Sequence, residues 1–458
     1  MYDPLVSTQI PNNQAYPQSY WFNSIDDFSL SIPPLNPLQQ DITTDTVIIG
    51  AGYAGLSCAY HLAKQYGEQA VVLEANNIGW GCSGRNAGFV LPLSGRLGYE
   101  ALVKRFGLET TTAIHHEFLN GVDLVEQLIE QSGVDVNRQP NGYLKIAHRA
   151  KYYDSLKHTA DYMSKHFGYH VEPLSKDQLC EKYVDHHGAY GALLYQQGYG
   201  IHPLKLALAY HQLTEQQGVD IYTNSPVTSW TKQIEKQGER HLLITPQGKI
   251  SAKKVVCCSN GYTPKNFHRS VDNRSLPVLT SVIVTRPLTA QELVESRFFT
   301  NQVMMDTRQL KYYYRKLPDN RILFGGRGAI TGQQAQSPKY HERLLSALKQ
   351  SFPALANITA DYRWSGWISV SLDDIPHVHQ TDDNVFYSSG YCGAGLSFST
   401  QSGKRLAEKV AGADAREHKS AHSIPMLSTP LPKFPFAPFR RIGQGMFYQL
   451  GRVRDQWF

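Results

Sequence analysis

The apolar and polar positions become regular after a polar amino-terminal arm. Residues 46–49 form a short apolar run, residues 53–64 carry small and apolar side chains at helical spacing, and residues 70–73 form a second apolar run that ends at Glu74. Short apolar runs are typical of buried strands, and the stretch between them is typical of a helix. The order strand, helix, strand predicts a βαβ unit at the start of the regular part of the chain.

Glycines at the first strand-to-helix junction indicate what this unit binds. The sequence from Gly50 to Gly55 is G-A-G-Y-A-G. In this pattern Gly50 makes a tight turn, Gly52 lets the backbone approach a pyrophosphate, and Gly55 allows the helix to pack closely on the strand. The helix amino terminus attracts the phosphates, and an acidic residue about 20 positions later, here Glu74, suits the ribose hydroxyls. The unit predicts dinucleotide binding, which NAD and FAD share.

The segment after Glu74 favours FAD. Residues 77–88 are dense in glycine and carry Ser, Arg and Asn donors, which NAD dehydrogenases seldom need. Backbone N–H groups of such a loop can cradle a flavin pyrophosphate and the edge of the ring. The alternative is a flexible surface loop. The candidate contacts in this loop are Gly81, Ser83, Arg85, Asn86, Ala87 and Gly88.

A second glycine turn lies near the carboxyl terminus. Residues 385–388 predict a strand and residues 396–410 predict a helix, with glycines between them. The alternative to a ligand-binding role is a purely structural turn. The candidate contacts here are Gly390, Gly393, Ala394, Gly395, Leu396 and Ser397.

Composition and charge exclude several other classes. The chain has 458 residues, 41% hydrophobic and 18% charged, which is typical of globular proteins and not of disordered, collagen-like or coiled-coil chains. The net charge of +6 is a mild bias toward acidic partners, but no nucleic-acid motif is present. Six cysteines lack the spacing of a zinc site, so no metal is expected. Without a secretion signal or a long apolar window, we expect a cytoplasmic protein.

Several ordered motifs resemble the D-amino-acid-oxidase-like (DAO) family of FAD-dependent oxidoreductases, most closely its γ-glutamylputrescine oxidase type. The resemblance covers nearly the whole chain. It implies an α/β fold in which a Rossmann-like FAD-binding domain is interleaved with an α+β substrate domain on a mixed sheet, as in DAO and glutathione-reductase-like proteins. The motifs are residues 50–64, residues 71–88, G-I-H-P-L-K-L-A from Gly200, Y-Y-Y-R-K-L-P-D-N-R-I-L-F-G-G from Tyr312, D-Y-R-W-S-G-W from Asp361 and G-Y-C-G-A-G from Gly390.

The resemblance implies a division of the chain. The FAD-binding domain is expected to comprise residues 41–100, 198–268 and 361–415, and the substrate domain residues 101–197 and 269–360. Residues 1–40 form an amino-terminal arm. Residues 416–458 form a basic, aromatic extension. For this extension, packing across the FAD-binding domain is favoured over contact with an anionic membrane surface.

The family also assigns roles to individual positions. Its last glycine turn lies beside the isoalloxazine, where amides and the helix dipole stabilise negative charge on the N1–C2=O locus of reduced flavin. The backbone of Val227 is expected to contact the adenine, and Gly261 ends a strand that returns to the FAD-binding domain. Ala54 and Ala75 complete the implied contacts around the βαβ unit.

Four departures from related branches change the expectation. The sarcosine oxidase branch has a Lys for the substrate carboxylate where this chain has Ser397, and a flavin-linking Cys where it has Gly366. Other branches link flavin through a His in the loop that corresponds to residues 82–85. FAD is therefore expected to be bound non-covalently, and a small α-amino acid would lack one charged clamp. The γ-glutamylputrescine oxidase type has a His in place of Ala394, which leaves the substrate open.

The resemblance implies oxidation of a C–N bond in an amine, γ-glutamylputrescine-like or another amine or amino acid. The imine would be hydrolysed to an aldehyde or keto product, and FADH₂ would be reoxidised by O₂ or another acceptor. An oxidase is favoured; the alternatives are an amino-acid dehydrogenase that passes electrons to quinone, and a non-catalytic flavoprotein that serves as a maturation partner. The expected partner is a small-molecule amine, and nucleic acid is not expected.

The substrate face is predicted from one strand. Alternation along residues 310–317 puts Tyr312 and Tyr314 on one face of a sheet and Tyr313 on the other. An aromatic wall over the flavin could guide an aliphatic amine by apolar and cation–π contacts. We expect Tyr314, Trp364 and Trp367 to form this wall, and burial in the sheet core is the alternative.

Overall fold

Strands and helices cover most of the chain in the computed structural model, which describes residues 1–25, 30–93, 95–235, 238–393, 395–413 and 424–457. The strands are β1 (Ile42–Ile49), β2 (Ala70–Leu73), β3 (Phe89–Val90), β4 (Tyr143–Ile146), β5 (Val171–Ser175), β6 (Gly191–Tyr195), β7 (Tyr199–Gly200), β8 (Asp220–Tyr222), β9 (Ser229–Glu235), β10 (Gly238–Ile244), β11 (Lys249–Cys257), β12 (Ser275–Thr285), β13 (Val303–Asp306), β14 (Tyr313–Lys316), β15 (Ile322–Arg327), β16 (Ala360–Ser371), β17 (His377–Gln380) and β18 (Val385–Ser389). The helices are α1 (Tyr20–Asn23), α2 (Tyr53–Tyr66), α3 (Tyr99–Phe106), α4 (Leu108–Ser132), α5 (Ala150–Phe167), α6 (Lys176–Lys182), α7 (Pro203–Glu215), α8 (Ala290–Glu295), α9 (Lys339–Ser351), α10 (Gly395–Val410), α11 (Pro425–Ser428) and α12 (Arg440–Trp457).

The first sheet contains the predicted βαβ unit. Its strand order is β17-β18-β11-β1-β2-β8, and β9 and β10 form a hairpin on the amino-terminal half of β11. Strands β18, β11, β1, β2 and β8 run parallel. Helix α2 connects β1 to β2, and its residues from Tyr53 to Leu62 are buried. Since a parallel sheet needs both faces covered, this burial matches the short, buried apolar run at residues 46–49, at the end of β1.

Helix α10 packs closely against α2 and is held to α4 by buried charges. A Cβ on Gly403 of α10 would lie 2.5 Å from the Ala54 carbonyl oxygen of α2, so only glycine fits this approach. Arg405 donates from Nε to Glu117 of α4 at 3.0 Å, and the Gln401 amide donates to the same carboxylate at 3.1 Å. These contacts fix α10, and therefore the glycine turn that precedes it, against two helices.

The second sheet is mixed, as predicted. Its order is β16-β12-β15-β14-β13-β4-β6-β5, and the pairs are antiparallel except for β13 with β4. One face packs on α9, where the buried side chains of Ile283 and Phe324 meet Leu344 and Leu348. The other face points toward the first sheet. The space between the two sheets is where a site can form.

Strand β16 corrects one predicted domain boundary. It pairs with β12 from Ala360 to Ser371, so residues 361–371 belong to the second sheet. The prediction that the third FAD-binding segment begins at residue 361 is therefore wrong, because that segment begins after β16. The motif at residues 361–367 indicated a family position but not which sheet the strand joins. The remaining boundaries stay predictions.

The carboxyl-terminal helix packs on the second sheet. Tyr448 of α12 is buried with Val278 of β12 and Val370 of β16, and Arg440 donates to the Ser275 carbonyl oxygen at 2.5 Å. The expectation that the extension packs across the FAD-binding domain is corrected accordingly. Residues 414–423 and 458 lie outside the described residues. Within the described ranges, no helix is both long and apolar enough to cross a membrane.

Candidate active site

A cavity of about 1010 Å³ lies between the two sheets. Residues of the β1–α2 junction, the loop after β2 and the start of α10 line one side, and residues of β4, β13, β14 and β15 line the other. A volume near 1,000 Å³ is at the upper end of the range for small-molecule and cofactor pockets. The cavity is therefore large enough for a cofactor together with a smaller substrate.

The β1–α2 junction has the close geometry that a pyrophosphate needs. Gly50 has a φ of +106°, which favours glycine, and a Cβ on Gly55 would lie 1.9 Å from the Gly50 carbonyl oxygen. A Cβ on Gly52 would fill the space beside the Ser83 hydroxyl, at 2.8 Å. The N-cap residue of α2, Gly52, offers no side-chain cap, and the Tyr53 N–H donates to Ser83 Oγ at 3.1 Å. This helix end, where Gly52, Tyr53 and Ala54 line the cavity, fits an anionic group.

Glu74 lies at the end of β2, beside this junction. Its carboxylate accepts hydrogen bonds from the backbone N–H groups of Ala51 at 2.9 Å and Asn76 at 3.0 Å, and it lines the cavity. Burial raises the pKa of Glu74, and these N–H donors act in the opposite direction. A buried acidic acceptor at this position fits the ribose hydroxyls of a dinucleotide. The donor set and the space around it therefore fit FAD.

The loop at residues 77–88 is tightly braced. Arg85 donates from Nε to the Trp80 carbonyl oxygen at 2.8 Å, and its guanidinium lies 4.4 Å from the Trp80 ring centroid. Asn86 donates to the Ser83 carbonyl oxygen at 2.9 Å and accepts from the Gly88 N–H at 2.7 Å. These bonds give the loop a fixed shape, contrary to the alternative of a flexible surface loop.

The predicted cofactor residues divide into three groups. The first group lines the cavity. The second group lies just behind it and supports the lining residues. Ala394 lies outside the described residues. The first group is Gly50, Gly52, Ala54, Glu74, Ala75, Gly81, Ser83, Asn86, Ala87, Val227, Gly393, Gly395 and Leu396, and the second is Gly55, Arg85, Gly88, Gly261, Gly390 and Ser397.

The contacts of two residues in the second group explain why these residues do not reach the cavity. Ser397 is buried and donates to the Leu91 carbonyl oxygen at 2.7 Å. Gly261 lies against β16, where a Cβ would be 2.8 Å from the Ile368 carbonyl carbon. Both therefore join segments around the cavity wall. Their contact with FAD, like that of the lining residues, stays a prediction.

The aromatic wall is formed by other residues than those predicted. Tyr143 of β4, Tyr195 of β6 and Tyr313 of β14 line the cavity. The ring of Tyr313 lies over Gly325 of β15, where a Cβ would be 2.0 Å from the ring. Burial raises the pKa of Tyr313 to about 12, so its hydroxyl stays protonated, and a hydrogen bond with Thr280 acts in the opposite direction.

The predicted substrate face of Tyr314, Trp364 and Trp367 is wrong, because none of the three lines the cavity. Tyr314 is fully buried on the opposite face of the second sheet, stacked on Phe324 with ring centroids 5.3 Å apart. Trp364 donates from Nε1 to the Arg85 carbonyl oxygen at 2.8 Å, and Trp367 donates to the Tyr2 carbonyl oxygen at 2.8 Å. Trp364 therefore supports the loop at residues 77–88, and Trp367 supports the amino-terminal arm.

Three basic side chains, which sequence reasoning missed, line the cavity on the face of the second sheet. They are Lys145, Lys311 and Arg327, and within the described ranges no ion pair joins them to a carboxylate. Burial and repulsion from Lys145 and Arg327 together lower the pKa of Lys311 to about 7, against an opposite effect of Asp306. Burial also lowers the pKa of Lys145. We call these three residues the basic set; it favours an anionic group in the cavity.

Cys392 also reaches the cavity, from the glycine turn before α10. It adopts a φ of +53°, and its Sγ donates to the Gly390 carbonyl oxygen at 2.9 Å. Burial raises the pKa of the thiol to about 11. Because the thiolate is the reactive form, this favours a small, inert cysteine over a redox role. The described residues contain no cluster of three or more His, Cys, Asp or Glu side chains suited to a metal ion.

Comparison with known proteins agrees with this geometry. Residues 45–409 match the family described as DAO, FAD dependent oxidoreductase. The chain is 30% identical to gamma-glutamylputrescine oxidoreductase of Escherichia coli (strain K12) over 430 residues, which cover 94% of this chain and 97% of the relative.

Solved structures share the fold at lower identity. Glycine oxidase from Bacillus cereus ATCC 14579 matches with a TM-score of 0.65 and 21% identity over 86% of this chain and 99% of its own. L-proline dehydrogenase from P. horikoshii matches with a TM-score of 0.67 and 18% identity over 81% of this chain and 94% of its own. These findings confirm the predicted fold and the resemblance. The chain belongs to the DAO family of FAD-dependent oxidoreductases, and FAD is its cofactor.

Proposed function

We propose that the protein oxidises the C–N bond of an amine that also carries a carboxylate, of the γ-glutamyl amine class. The imine would be hydrolysed by water to an aldehyde, with O₂ as the electron acceptor. The observation that carries the proposal is the basic set, three basic side chains on the cavity face of the second sheet for which the described residues contain no ion-pair partner. The name of the Escherichia coli relative, gamma-glutamylputrescine oxidoreductase, supports the same substrate class.

The basic set suits a carboxylate for an electrostatic reason. Lys311 lies near Lys145 and Arg327, and repulsion among these groups adds to the cost of burying each charge. A bound carboxylate would offset that repulsion, and Arg327 could hold both of its oxygens in a planar pair of hydrogen bonds. Substrates without a negative group would leave the cations unpaired. The sarcosine oxidase branch binds the substrate carboxylate with a Lys at the position of Ser397. In this chain, basic side chains on the opposite wall of the cavity would bind the carboxylate instead.

The tyrosines and one acidic residue suit the rest of such a substrate. Tyr143, Tyr195 and Tyr313 offer aromatic surface to an aliphatic chain and its amine. Glu100 also lines the cavity and pairs with His158 at 2.9 Å. An ammonium group elsewhere on the substrate could bind there. The cavity then matches a molecule with a carboxylate, an apolar middle and amine groups.

The chain's own part in the reaction is placement and exclusion of water. FAD, held by the β1–α2 junction, Glu74, the 77–88 loop, Val227 and the turn before α10, would accept the hydride from the carbon next to the amine nitrogen. Apolar side chains that line the cavity, among them Leu91, Leu93 and Met305, would keep water from the reacting carbon. Non-covalent attachment of FAD and a cytoplasmic location stay predictions.

Anaerobic reduction of the bound flavin tests the proposal. The purified yellow protein is mixed without O₂ with γ-glutamylputrescine, putrescine, glycine or L-proline, and loss of flavin absorbance is followed. We expect γ-glutamylputrescine to bleach the flavin at the lowest concentration; no bleaching by any amine would contradict the proposal. Rapid return of the colour on adding air indicates an oxidase, and a persistent reduced form indicates a dehydrogenase with another acceptor.

A variant links this result to the basic set. Arg327→Met should raise the concentration of γ-glutamylputrescine needed for half-maximal bleaching by about 10- to 150-fold, because a charge-assisted hydrogen bond contributes about 1.5–3 kcal/mol. The matched control is Arg363→Met, an arginine exposed on β16 and outside the cavity. Equal effects of the two substitutions would indicate that Arg327 does not bind the substrate carboxylate.

A further inference from the structure

One face of helix α12 packs against the rest of the protein. Tyr448 is buried in the second sheet, and a Cβ on Gly451 would lie 3.0 Å from Leu310. Arg441 pairs with Asp3 at 2.8 Å. The Asp455 carboxylate accepts hydrogen bonds from the backbone N–H groups of residues 309 and 310, at 2.8 and 3.0 Å. Positions 441, 448, 451 and 455 are spaced by seven, three and four residues, so they form one stripe along the helix.

The opposite face is apolar and exposed. Its side chains also recur every three or four residues, and more than half of the surface of most of them is accessible. Phe436, just before the helix, is 72% exposed. Of the sixteen large hydrophobic side chains that are exposed in the described ranges, six lie in this short segment. The members of this face, which we call the outer stripe, are Phe439, directly before the helix, and Ile442, Met446, Leu450 and Val453 on the helix.

The charges around the outer stripe are almost all positive. From residue 433 onward the chain has five basic side chains and one carboxylate, Asp455, which is turned inward. Lys433, Arg452 and Arg454 are exposed. Arg440 and Arg441 are partly buried at the start of the helix. An exposed apolar stripe with basic residues beside it is the pattern of helices that lie in the plane of an anionic membrane surface.

We propose that α12 docks the protein on an anionic lipid surface. The helix spans about 27 Å at 1.5 Å per residue, so the outer stripe can lie along the headgroup region over its full length. Lipid phosphates would pair with Arg452 and Arg454, which have no carboxylate partner in the described ranges. A second copy of the chain is a poorer fit, because pairing the same stripe would bring identical basic side chains together without a carboxylate between them.

Docking through α12 would also bring one wall of the cavity near the lipid surface. Phe447 of α12 lies under the guanidinium of Arg96, which lines the cavity, at 4.9 Å. Gln309, whose N–H donates to Asp455 of α12, also lines the cavity, and so does Cys392, which belongs to the same hydrophobic cluster as Tyr448. One wall of the cavity would therefore sit close to the lipid surface.

Vesicle binding of the full-length, FAD-loaded protein tests the inference. The protein is sedimented with vesicles of phosphatidylcholine alone or with 30% phosphatidylglycerol. We expect binding to the anionic vesicles only, with a decrease as salt is raised. The triple variant Ile442→Gln, Met446→Gln, Leu450→Gln should bind at least 10-fold more weakly and keep its flavin absorbance. The control triple variant Val6→Gln, Val294→Gln, Phe299→Gln, which changes exposed apolar side chains elsewhere, should bind like the parent.

Three results would overturn the inference. The parent protein could remain in solution with anionic vesicles, or the outer-stripe variant could bind them as tightly as the parent. Light scattering without lipid could also show a dimer that the outer-stripe variant lacks, which would assign the stripe to a second copy. The double variant Arg452→Gln, Arg454→Gln should bind anionic vesicles less tightly than the parent. Unchanged binding would contradict the pairing of these two arginines with lipid phosphates.

Discussion

Replacing Lys311 with methionine should stabilise the protein while impairing its proposed reaction. Burial, together with repulsion from Lys145 and Arg327, lowers the pKa of Lys311 to about 7, against an ordinary lysine value near 10.4. Each pH unit of that difference corresponds to about 1.4 kcal/mol, so holding Lys311 charged in the free enzyme costs up to about 5 kcal/mol. A neutral methionine of similar length removes this cost.

The effect must depend on pH in one direction. Below about pH 7, Lys311 is charged in both the folded and the unfolded chain, so the destabilisation is fully present. Between about pH 7 and 10.4 the folded protein loses the proton while the unfolded chain keeps it, so the destabilisation shrinks to zero. The gain in stability of Lys311→Met should therefore be largest at pH 6 and should disappear near pH 10.4.

Thermal unfolding followed by flavin fluorescence measures this gain. An unfolding entropy of about 2.1 cal/mol/K per residue gives about 1 kcal/mol/K for a chain of this length, so the midpoint should rise by at most about 5 °C at pH 6. Lys165→Met, at an exposed lysine of α5, serves as the control and should show no such pH-dependent difference. A midpoint difference for Lys311→Met that stays constant from pH 6 to pH 10.4 would refute the electrostatic reasoning.

The same variant should lose affinity for the proposed substrate. Its kcat/KM for γ-glutamylputrescine should fall about 10- to 150-fold, because a charge-assisted contact of about 1.5–3 kcal/mol is lost, whereas its kcat/KM for putrescine should change little. Equal losses for both amines would place Lys311 outside the carboxylate site.

Three further predictions concern the cofactor and the aromatic wall. Glu74→Ala should weaken FAD retention about 10- to 150-fold in a dialysis and reconstitution assay, since a buried acidic acceptor is lost; unchanged retention would count against its ribose role. Acid precipitation should release all of the FAD into the supernatant if it is bound non-covalently, and yellow pellets would contradict this. Tyr313→Leu should raise KM for the amine substrate, because Tyr313 lines the cavity. Tyr314→Phe should leave the kinetics unchanged and the unfolding midpoint the same or higher, because the buried Tyr314 hydroxyl has no partner among the described residues. A higher KM for Tyr314→Phe with unchanged kinetics for Tyr313→Leu would support the predicted substrate face instead.

Local patterns predicted the cofactor half of the molecule well. The strand, the three glycines, the helix and Glu74 are close in sequence, and each has a distinct backbone or charge requirement, so their spacing is informative. The choice of Tyr314 failed for a different reason. Alternation separates Tyr313 from Tyr314, but it cannot say which face meets the cofactor, because that depends on which side α9 covers.

The substrate half could not be assembled from the sequence. Lys145, Lys311 and Arg327 come from separate strands or their edges, and they meet only because β4 pairs with β13, β13 with β14 and β14 with β15. Trp364 and Trp367 are three positions apart on β16, so they could not share one face of a regular strand. A signal was present in Lys145, a charged residue within the otherwise apolar strand at residues 143–146.

The substrate claim is tested most directly by comparing two amines that differ in the carboxylate-bearing group. Anaerobic stopped-flow reduction of the flavin by γ-glutamylputrescine and by putrescine gives the half-saturating concentration of each. The basic set predicts a value at least about 10-fold lower for γ-glutamylputrescine, because only this amine carries a carboxylate for Lys145, Lys311 and Arg327. Equal values, or a lower value for putrescine, would contradict the account.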